Sequence, residues 1–180
     1  MKTTLSKTSL MLLMFVTMAA CSQTTSRTST SPSIPMNSNL HYSRTDTTRL
    51  EVSNDEWSRI LPRDLYLVAR EAHTERAFTG KYWDYEGLGE YSCAVCGNRL
   101  FKSDAKFASG CGWPSFFEPI RQQAVIYLPD NTHGMSRIEV KCGRCDSHLG
   151  HVFDDGPPPT YKRFCMNSIS LNFDPESNTK

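Results

Sequence analysis

The sequence lacks an excess of charge of either sign, since 20 Lys and Arg residues stand against 19 Asp and Glu residues. This balance argues against a basic nucleic-acid-binding tail, a polybasic membrane patch and an acidic disordered protein. Apolar residues are scarce, at 38%, largely because Ser and Thr make up about half of residues 22–48. The remaining segment of about 130 residues is long enough to bury a hydrophobic core.

Acidic residues are absent before Asp46, and no apolar run reaches the ~20 residues that span a bilayer. Lys2 and Lys7 precede a short apolar stretch, residues 10–20, which ends in small residues directly before Cys21. This pattern is typical of a secretory signal. Residues 18–21 also resemble the lipobox of bacterial lipoproteins, in which the cysteine is acylated. The alternative is an ordinary cleaved signal peptide in which Cys21 has no role.

We therefore predict an exported lipoprotein, anchored to a membrane through Cys21 and facing the periplasm or the cell exterior. Residues 1–20 would be the signal peptide, and residues 21–49 a Ser/Thr-rich tether that holds the domain away from the membrane. The catalytic domain is predicted over residues 50–174, followed by a short tail at 175–180.

The folded region is predicted to open with two short helices. Ser53 and the two acidic residues after Asn54 are typical of a helix start, and Pro62 should separate this helix from a second one over residues 63–74. Beyond Gly80, short apolar runs alternate with turn residues, which indicates a mainly β domain with antiparallel strands. The predicted strands are 91–94, 124–128, 137–141, 151–153 and 163–173, with chain breakers at 129–131 and 156–159.

Four of the seven cysteines form two Cys-x-x-Cys pairs, Cys93 with Cys96 and Cys142 with Cys145. This spacing lets both thiolates of one turn bind a tetrahedral ion, and Gly97 and Gly143 should allow the tight backbone. Two disulfides are an alternative in an exported protein, as is a redox motif, although no βαβ pattern accompanies it. We predict a structural zinc site, with iron as the alternative metal.

Two cysteines remain once Cys21 and the paired cysteines are assigned. Cys111 lies in a glycine-rich loop, and Cys165 lies on a predicted strand whose alternation places Arg163 and Asn167 on the same face. A cation and an amide beside a thiol favour the reactive thiolate. A buried structural cysteine is the alternative, but these neighbours favour a nucleophile at Cys165.

Further candidate site residues lie next to these cysteines. His148 and His151 follow the second cysteine pair and could share a metal with it, but the first pair would then have no role. As imidazoles in a polar pocket they could instead donate a proton to a substrate oxygen, with Asp155 available to orient one of them. Trp113 is either a core residue or a rigid apolar wall beside Cys111.

Several blocks of the sequence resemble one known family, the B-type peptide methionine sulfoxide reductases. The blocks are residues 109–116, 148–153 and 163–167, with residues 74–80 similar to an upstream block and the cysteine pairs similar to the family's zinc site. The resemblance covers about residues 53–173 in the family's order. One departure is Tyr161, where the family often has glycine.

The resemblance implies an all-β domain of two antiparallel sheets with N-terminal helices. It also implies reduction of the R epimer of methionine sulfoxide, in proteins or free. Cys165 would attack the sulfoxide sulfur and become a sulfenic acid, which Cys111 would resolve as a disulfide. Trp113 would hold the substrate's methyl group, and the oxygen would be handled by His148, His151 and Asn167. Asp155 and Arg163 would fix that arrangement.

The expected partners are oxidised proteins as substrates and a thioredoxin-like reductant, with no nucleic acid and no second copy of the chain. Two other classes of protein share some of these features. A zinc-ribbon binding module would use the cysteine pairs, but a near-neutral chain without a basic stripe is poorly suited to nucleic acid. A thiol–disulfide exchange factor would use Cys111 and Cys165, but would act on disulfides and not on sulfoxides.

Overall fold

A computed structural model of the protein describes residues 39–176, which all belong to the compact unit Ser33–Lys180. The predicted signal peptide, Cys21, the first part of the predicted tether and residues 177–180 lie outside the described residues. Between residues 39 and 176, none of the helices has both the length and the apolar character that a membrane crossing requires.

Two short helices, α1 (Asn54–Ile60) and α2 (Arg63–Glu71), open the folded part in the predicted positions. Ser53 caps α1, because its side chain accepts a backbone hydrogen bond from the first turn. Helix α2 buries Leu65 and Val68 and ends earlier than predicted. Its C-cap, Ala72, adopts a left-handed conformation with φ 54°, which stops the helix before residue 74.

Within residues 39–176, nine strands form two antiparallel sheets. They are β1 (Gly89–Cys93), β2 (Arg99–Lys102), β3 (Lys106–Phe107), β4 (Ser115–Phe116), β5 (Val125–Asp130), β6 (Arg137–Cys142), β7 (His148–Phe153), β8 (Arg163–Met166) and β9 (Leu171–Pro175). The three-stranded sheet has the order β2-β1-β9, and the six-stranded sheet has the order β3-β4-β8-β7-β6-β5. The predicted fold class, mainly β with two antiparallel sheets and short N-terminal helices, is confirmed.

The hydrophobic core joins the two sheets and the helices. Phe101 of the three-stranded sheet stacks on Phe116 of the six-stranded sheet, with ring centroids 4.3 Å apart. Tyr91 packs edge-on against the same Phe116 at 5.0 Å. Trp57 from α1 belongs to the same core and is 1% exposed. Helix α1 is therefore part of the domain's core.

The prediction of one continuous strand over residues 163–173 is wrong. Strand β8 ends at Met166 in one sheet and β9 begins at Leu171 in the other, with a 3-10 turn at Ser168–Ser170 between them. The carboxylate of Glu75 accepts hydrogen bonds from the backbone amides of the turn at 2.5 and 3.0 Å. The Glu75 side chain thus accepts hydrogen bonds from two amides that, in a continuous strand, would donate to the backbone of a neighbouring strand.

The chain breaker predicted at residues 129–131 does not end strand β5, which continues through Pro129 to Asp130. Strand β5 lies at the edge of the six-stranded sheet, where a proline need not remove a ladder hydrogen bond. The extension places Asp130 opposite Arg137 of β6, which brings a carboxylate to the functional site described below.

Residues 39–50 form an N-terminal strap over the two cysteine pairs, although the sequence predicts that most of them belong to a tether. Backbone and side-chain groups of the strap reach the turn of each pair. The contacts are Asn39 Nδ2 to the Val95 carbonyl at 2.8 Å, Ser43 N to the Cys96 carbonyl at 2.9 Å, and Leu50 N to the Arg144 carbonyl at 2.7 Å. Residues 39–50 are therefore part of the folded domain.

One buried cation connects the strap to both pairs. Arg144 lies between the cysteines of the second pair, and its side chain is 3% exposed. Its guanidinium donates hydrogen bonds to the carbonyls of His41 at 2.7 Å and Cys96 at 2.6 Å. It also forms an ion pair with Asp46 at 2.8 Å. Two of these three partners of the Arg144 guanidinium, the His41 carbonyl and the Asp46 carboxylate, therefore belong to the strap.

Candidate functional site

The four paired cysteines converge on one point, where their Sγ atoms all lie within 4.8 Å of one another and are buried. The shortest contacts join different pairs, Cys93 to Cys145 at 3.8 Å and Cys96 to Cys142 at 3.6 Å. Four thiolates at ~2.3 Å from a tetrahedral zinc ion are separated by about 3.8 Å. The cluster therefore has the donors and the dimensions to hold a metal ion.

The two cysteine turns have the same backbone geometry. The fourth residue after the first cysteine, Gly97 in one turn and Asp146 in the other, has a left-handed φ of 79° and 58° respectively. Gly143 has a different role from the one predicted. Gly143 lies in the second turn without a left-handed φ, and a Cβ atom there would lie 2.2 Å from the carbonyl oxygen of Gln123, so glycine is needed for close packing.

The histidines do not join this metal cluster. His148 Nδ1 lies 2.7 Å from Glu139 Oε1, and His151 Nε2 lies 2.7 Å from Asp130 Oδ2. Their rings pack edge-on, with centroids 5.5 Å apart. Each imidazole is therefore oriented by a carboxylate, and neither of these carboxylates was predicted. The expectation that Asp155 orients a histidine is wrong.

Asp155 instead holds Arg163. Its two carboxylate oxygens accept hydrogen bonds from Nε and one terminal nitrogen of Arg163 at 2.8 and 2.9 Å. The guanidinium also lies over the ring of Phe153, 4.3 Å from its centroid. These contacts fix a cation next to Cys165, which lies two residues further along β8.

Cys111 and Cys165 face each other, with their Sγ atoms 3.5 Å apart. Strand β8 carries Cys165, and it pairs with β4, so that Ser115 lies opposite Cys165. Gly110 and Gly112 flank Cys111 with left-handed φ angles of 72° and 89°, conformations that favour glycine. A disulfide needs an S–S distance of ~2.05 Å, so a small movement of this loop would bring the two sulfurs to bonding distance.

The more acidic thiol of this pair is Cys111. Burial alone would raise the pKa of Cys111, but hydrogen bonds with Ser109, Ser115, the backbone of Trp113 and Cys165 together lower it to about 7. The Ser109 hydroxyl lies 2.9 Å from the sulfur. Ser109 and Ser115 were not singled out from the sequence, although both fall in the glycine-rich block.

The expectation of a readily ionised Cys165 is wrong for the pair as it stands. Burial and then the adjacent Cys111 raise the pKa of Cys165 to about 12, although Arg163 lowers it. Arg163 thus lowers the pKa of Cys165, as predicted, but the neighbouring thiol of Cys111 raises it. Cys165 becomes a better nucleophile when Cys111 is protonated or moves away.

We predict that Cys111→Ser lowers the pKa of Cys165, because it removes the neighbouring thiolate and leaves the cation of Arg163. The rate of iodoacetamide alkylation at Cys165, followed by mass spectrometry against pH, should have a midpoint at least about one pH unit lower, or about tenfold in the ionisation constant. In the matched control Cys165→Ala, the pKa of Cys111 should rise, because the hydrogen bond from the Cys165 thiol is lost. An unchanged midpoint at Cys165 would contradict this interpretation.

Beside Cys165 lies a cavity of about 120 Å³. It is lined by Thr74, Trp113, Arg137, Gly150, His151, Phe153, Cys165, Met166 and Asn167. Four of the predicted site residues therefore meet here, whereas His148, Arg163 and Asp155 do not border the cavity. Arg137 does, and the sequence analysis missed it. The signal was the alternation of charged residues at Arg137, Glu139 and Lys141 along β6.

The backbone of Glu75 forms hydrogen bonds with two residues of the cavity wall, Trp113 and Asn167. Its carbonyl accepts a hydrogen bond from Trp113 Nε1 at 3.2 Å, and its amide donates to Asn167 Oδ1 at 3.0 Å. Asn167 Nδ2 donates to the Leu149 carbonyl at 3.1 Å, which leaves its second proton available. Glu75 lies in the block at residues 74–80, but no role was predicted for it.

Comparison with known proteins places this site in a family. The SelR domain matches residues 61–175, a range that contains both cysteine pairs and the whole cavity. The peptide methionine sulfoxide reductase MsrB of Thiobacillus denitrificans is 58% identical over 121 residues, or 67% of this chain and 92% of that protein. The MsrB protein of a Synechococcus species is 51% identical over 69% of this chain and 91% of its own length. The MsrB protein of Azotobacter vinelandii is also 51% identical, over 71% of this chain and 96% of its own length. The chain therefore belongs to the SelR-domain family of peptide methionine sulfoxide reductases.

Proposed function

We propose that this protein reduces methionine (R)-sulfoxide in polypeptides to methionine with electrons from its own two thiols. The observation that carries the proposal is the pair of free sulfurs of Cys111 and Cys165, 3.5 Å apart, with Cys165 on the wall of a small cavity that Trp113 also lines. The stereochemistry comes from the family alone.

The reaction uses the two thiols in order. The thiolate of Cys165 attacks the sulfoxide sulfur, the oxygen takes up a proton, and methionine leaves as Cys165 becomes a sulfenic acid. The sulfur of Cys111 then attacks the Cys165 sulfur. An S–S bond forms, and the hydroxyl leaves as water with one more proton. The cysteines lose two electrons and the sulfoxide gains them, so an external dithiol of the thioredoxin type must restore the pair.

Different cavity residues bind different parts of the substrate. Trp113 presents an apolar ring to the methyl group, and Glu75 holds that ring in place. His151 supplies the proton, and the free N–H of Asn167 binds the oxygen. His148 acts from outside the cavity by packing against His151, a more indirect role than the sequence predicts. Trp113 also borders a groove of about 370 Å³ lined by Tyr85, Leu88 and Phe107, which has room for residues flanking the sulfoxide.

The metal is zinc, and its role is structural. The four thiolates match its preferred donors, and Asn98 Nδ2, which lies 3.4 Å from Cys142 Sγ, donates to that sulfur. When bound, the ion joins the two cysteine turns of different sheets. Cys142 is at one end of β6 and Arg137 is at the other, about 17 Å away at ~3.4 Å per residue. None of the four cysteines lines the cavity beside Cys165.

Turnover on the separated epimers of a blocked methionine sulfoxide tests the proposal. With dithiothreitol as reductant, we expect methionine from the R epimer and none above background from the S epimer. Reduction of a disulfide substrate without reduction of the R-sulfoxide would instead support a thiol–disulfide exchange factor. Activity on the S epimer alone would contradict the proposed stereochemistry.

We also propose that the protein is exported, acylated at Cys21 and monomeric. The support is the basic, apolar and small-residue pattern that ends at Cys21, followed by a segment suited to a tether. Metabolic labelling with radioactive palmitate should mark the protein in the membrane fraction, and Cys21→Ala should remove the label. A soluble, unlabelled wild-type protein would contradict the anchor, and a dimer in light scattering would contradict the monomer.

A further inference from the structure

We propose that Asp130, held in place by Arg137, is a positioning residue that fixes His151 and stabilises its charged form as the proton donor. This inference rests on the proposed function, because it assigns the source of the proton that the sulfoxide oxygen takes up. It concerns two residues for which the sequence analysis gave no role.

The geometry begins with the edge strand. Because β5 continues to Asp130, this residue pairs with Arg137 at the start of β6. The same carboxylate oxygen, Oδ2, lies 2.7 Å from His151 Nε2 and 2.6 Å from a terminal nitrogen of Arg137. The other oxygen accepts hydrogen bonds from the amide and hydroxyl of Thr132, at 2.9 and 2.6 Å. The carboxylate is therefore held from three sides.

These contacts also keep Asp130 ionised. The Thr132 hydrogen bonds and then the His151 hydrogen bond lower the pKa of Asp130 far below its usual range. An ionised carboxylate can only accept, so His151 must donate to it from Nε2. The ring is then fixed in one orientation. Its Nδ1 is the remaining nitrogen that can carry a second proton for the substrate.

Five charged or titratable groups act on His151. Burial lowers its pKa, and Arg137 and His148 lower it further, whereas the hydrogen bond and charge of Asp130 raise it. Glu139 and Cys165 lie directly opposite His151 on the neighbouring strands β6 and β8. Together these groups hold the pKa of His151 below its ordinary value, and Asp130 offsets part of the desolvation of the imidazolium. Without it, His151 would lose its second proton at a lower pH.

Arg137 is more than a surface partner of Asp130. Its side chain is 21% exposed and borders the cavity, and its buried Nε has no hydrogen-bond partner among the residues that the structure describes. Arg137 and His151 therefore both belong to the wall of the site, and the carboxylate of Asp130 joins them.

The test is Asp130→Asn, which keeps the shape of the side chain and removes its charge. In single turnovers of the R-sulfoxide, we expect the alkaline decline of the rate to move to lower pH. The rate at neutral pH should fall about tenfold, a part of the ~10²–10⁴-fold that general acid catalysis contributes. The Cε1 proton of His151, followed by NMR, should titrate at lower pH. The matched control Asp55→Asn removes an exposed carboxylate that pairs with Arg59 and should change neither curve.

A second variant separates electrostatics from folding. Arg137→Gln removes a cation, so the NMR titration of His151 should move to higher pH, opposite to the shift in Asp130→Asn. Opposite shifts support the inference. If neither variant moves the His151 titration, or if both move it in the same direction, the inference is wrong. A wild-type protein that fails to reduce the R-sulfoxide at any pH would instead overturn the proposed function, whatever the titration of His151.

Discussion

Replacing Cys165 by serine should abolish the reduction of methionine sulfoxide, a loss on the order of 10⁴-fold or more. The sulfur of Cys165 borders the cavity, and no other described thiol does. A serine hydroxyl is a far weaker nucleophile toward sulfur. The measurement is methionine formed per enzyme in a single turnover without added reductant. Zinc content and circular dichroism should match the wild type.

The matched variant Cys111→Ser should behave differently. It should release about one methionine per enzyme and then stop, because Cys165 remains as a sulfenic acid that dimedone can trap. Recycling by a thioredoxin-type donor should fail, since no disulfide forms, while small thiols can still attack the sulfenic acid. A folded, zinc-loaded Cys111→Ser protein with no first turnover would contradict the assignment. So would a Cys165→Ser protein that retains activity.

Replacing Cys142 by serine should release zinc and unfold or strongly destabilise the domain. Metal binding at such sites contributes ~10–16 kcal/mol in zinc-finger peptides, which is comparable with the whole stability of a domain, about 5–15 kcal/mol. The cluster brings together the turn between β1 and β2 and the turn between β6 and β7. Bound zinc, measured by atomic emission, and the melting temperature should both fall.

Cys111→Ser is the control for this experiment as well, because it removes a thiol outside the cluster. It should retain one zinc ion per chain and the wild-type melting temperature. A Cys142→Ser protein that is free of metal but melts like the wild type would refute the structural role of the ion. The same result with Cys93→Ser would show that neither turn depends on it.

The cysteine pairs and the fold class could be predicted because their signals are local. Two residues between cysteines define a turn that presents both sulfurs, whatever surrounds it, and the alternation of apolar residues and turns indicates antiparallel strands. The helix cap at Ser53 is a similar case. Each of these predictions depends on neighbours within a few positions of the chain.

The missed features depend on residues that are distant in sequence. Asp130 reaches His151 only because three strands pair in a particular register, and a strand pattern does not specify that register. The break between β8 and β9 depends on Glu75, which lies more than 90 residues away. The acidity of Cys165 could not be predicted from Arg163 alone, since the opposing thiol of Cys111 comes from another loop.

The N-terminal strap shows that the start of the family match and the start of the segment needed for folding are different positions in this chain. The match to the SelR domain begins at residue 61, but the core residue Trp57 and two of the partners of Arg144, His41 and Asp46, precede it. Losing a buried tryptophan side chain costs about 3–5 kcal/mol, and a buried cation deprived of its partner costs about as much. A fragment trimmed to residues 61–175 would therefore keep every cavity residue and both cysteine pairs, yet it would have little capacity to fold independently.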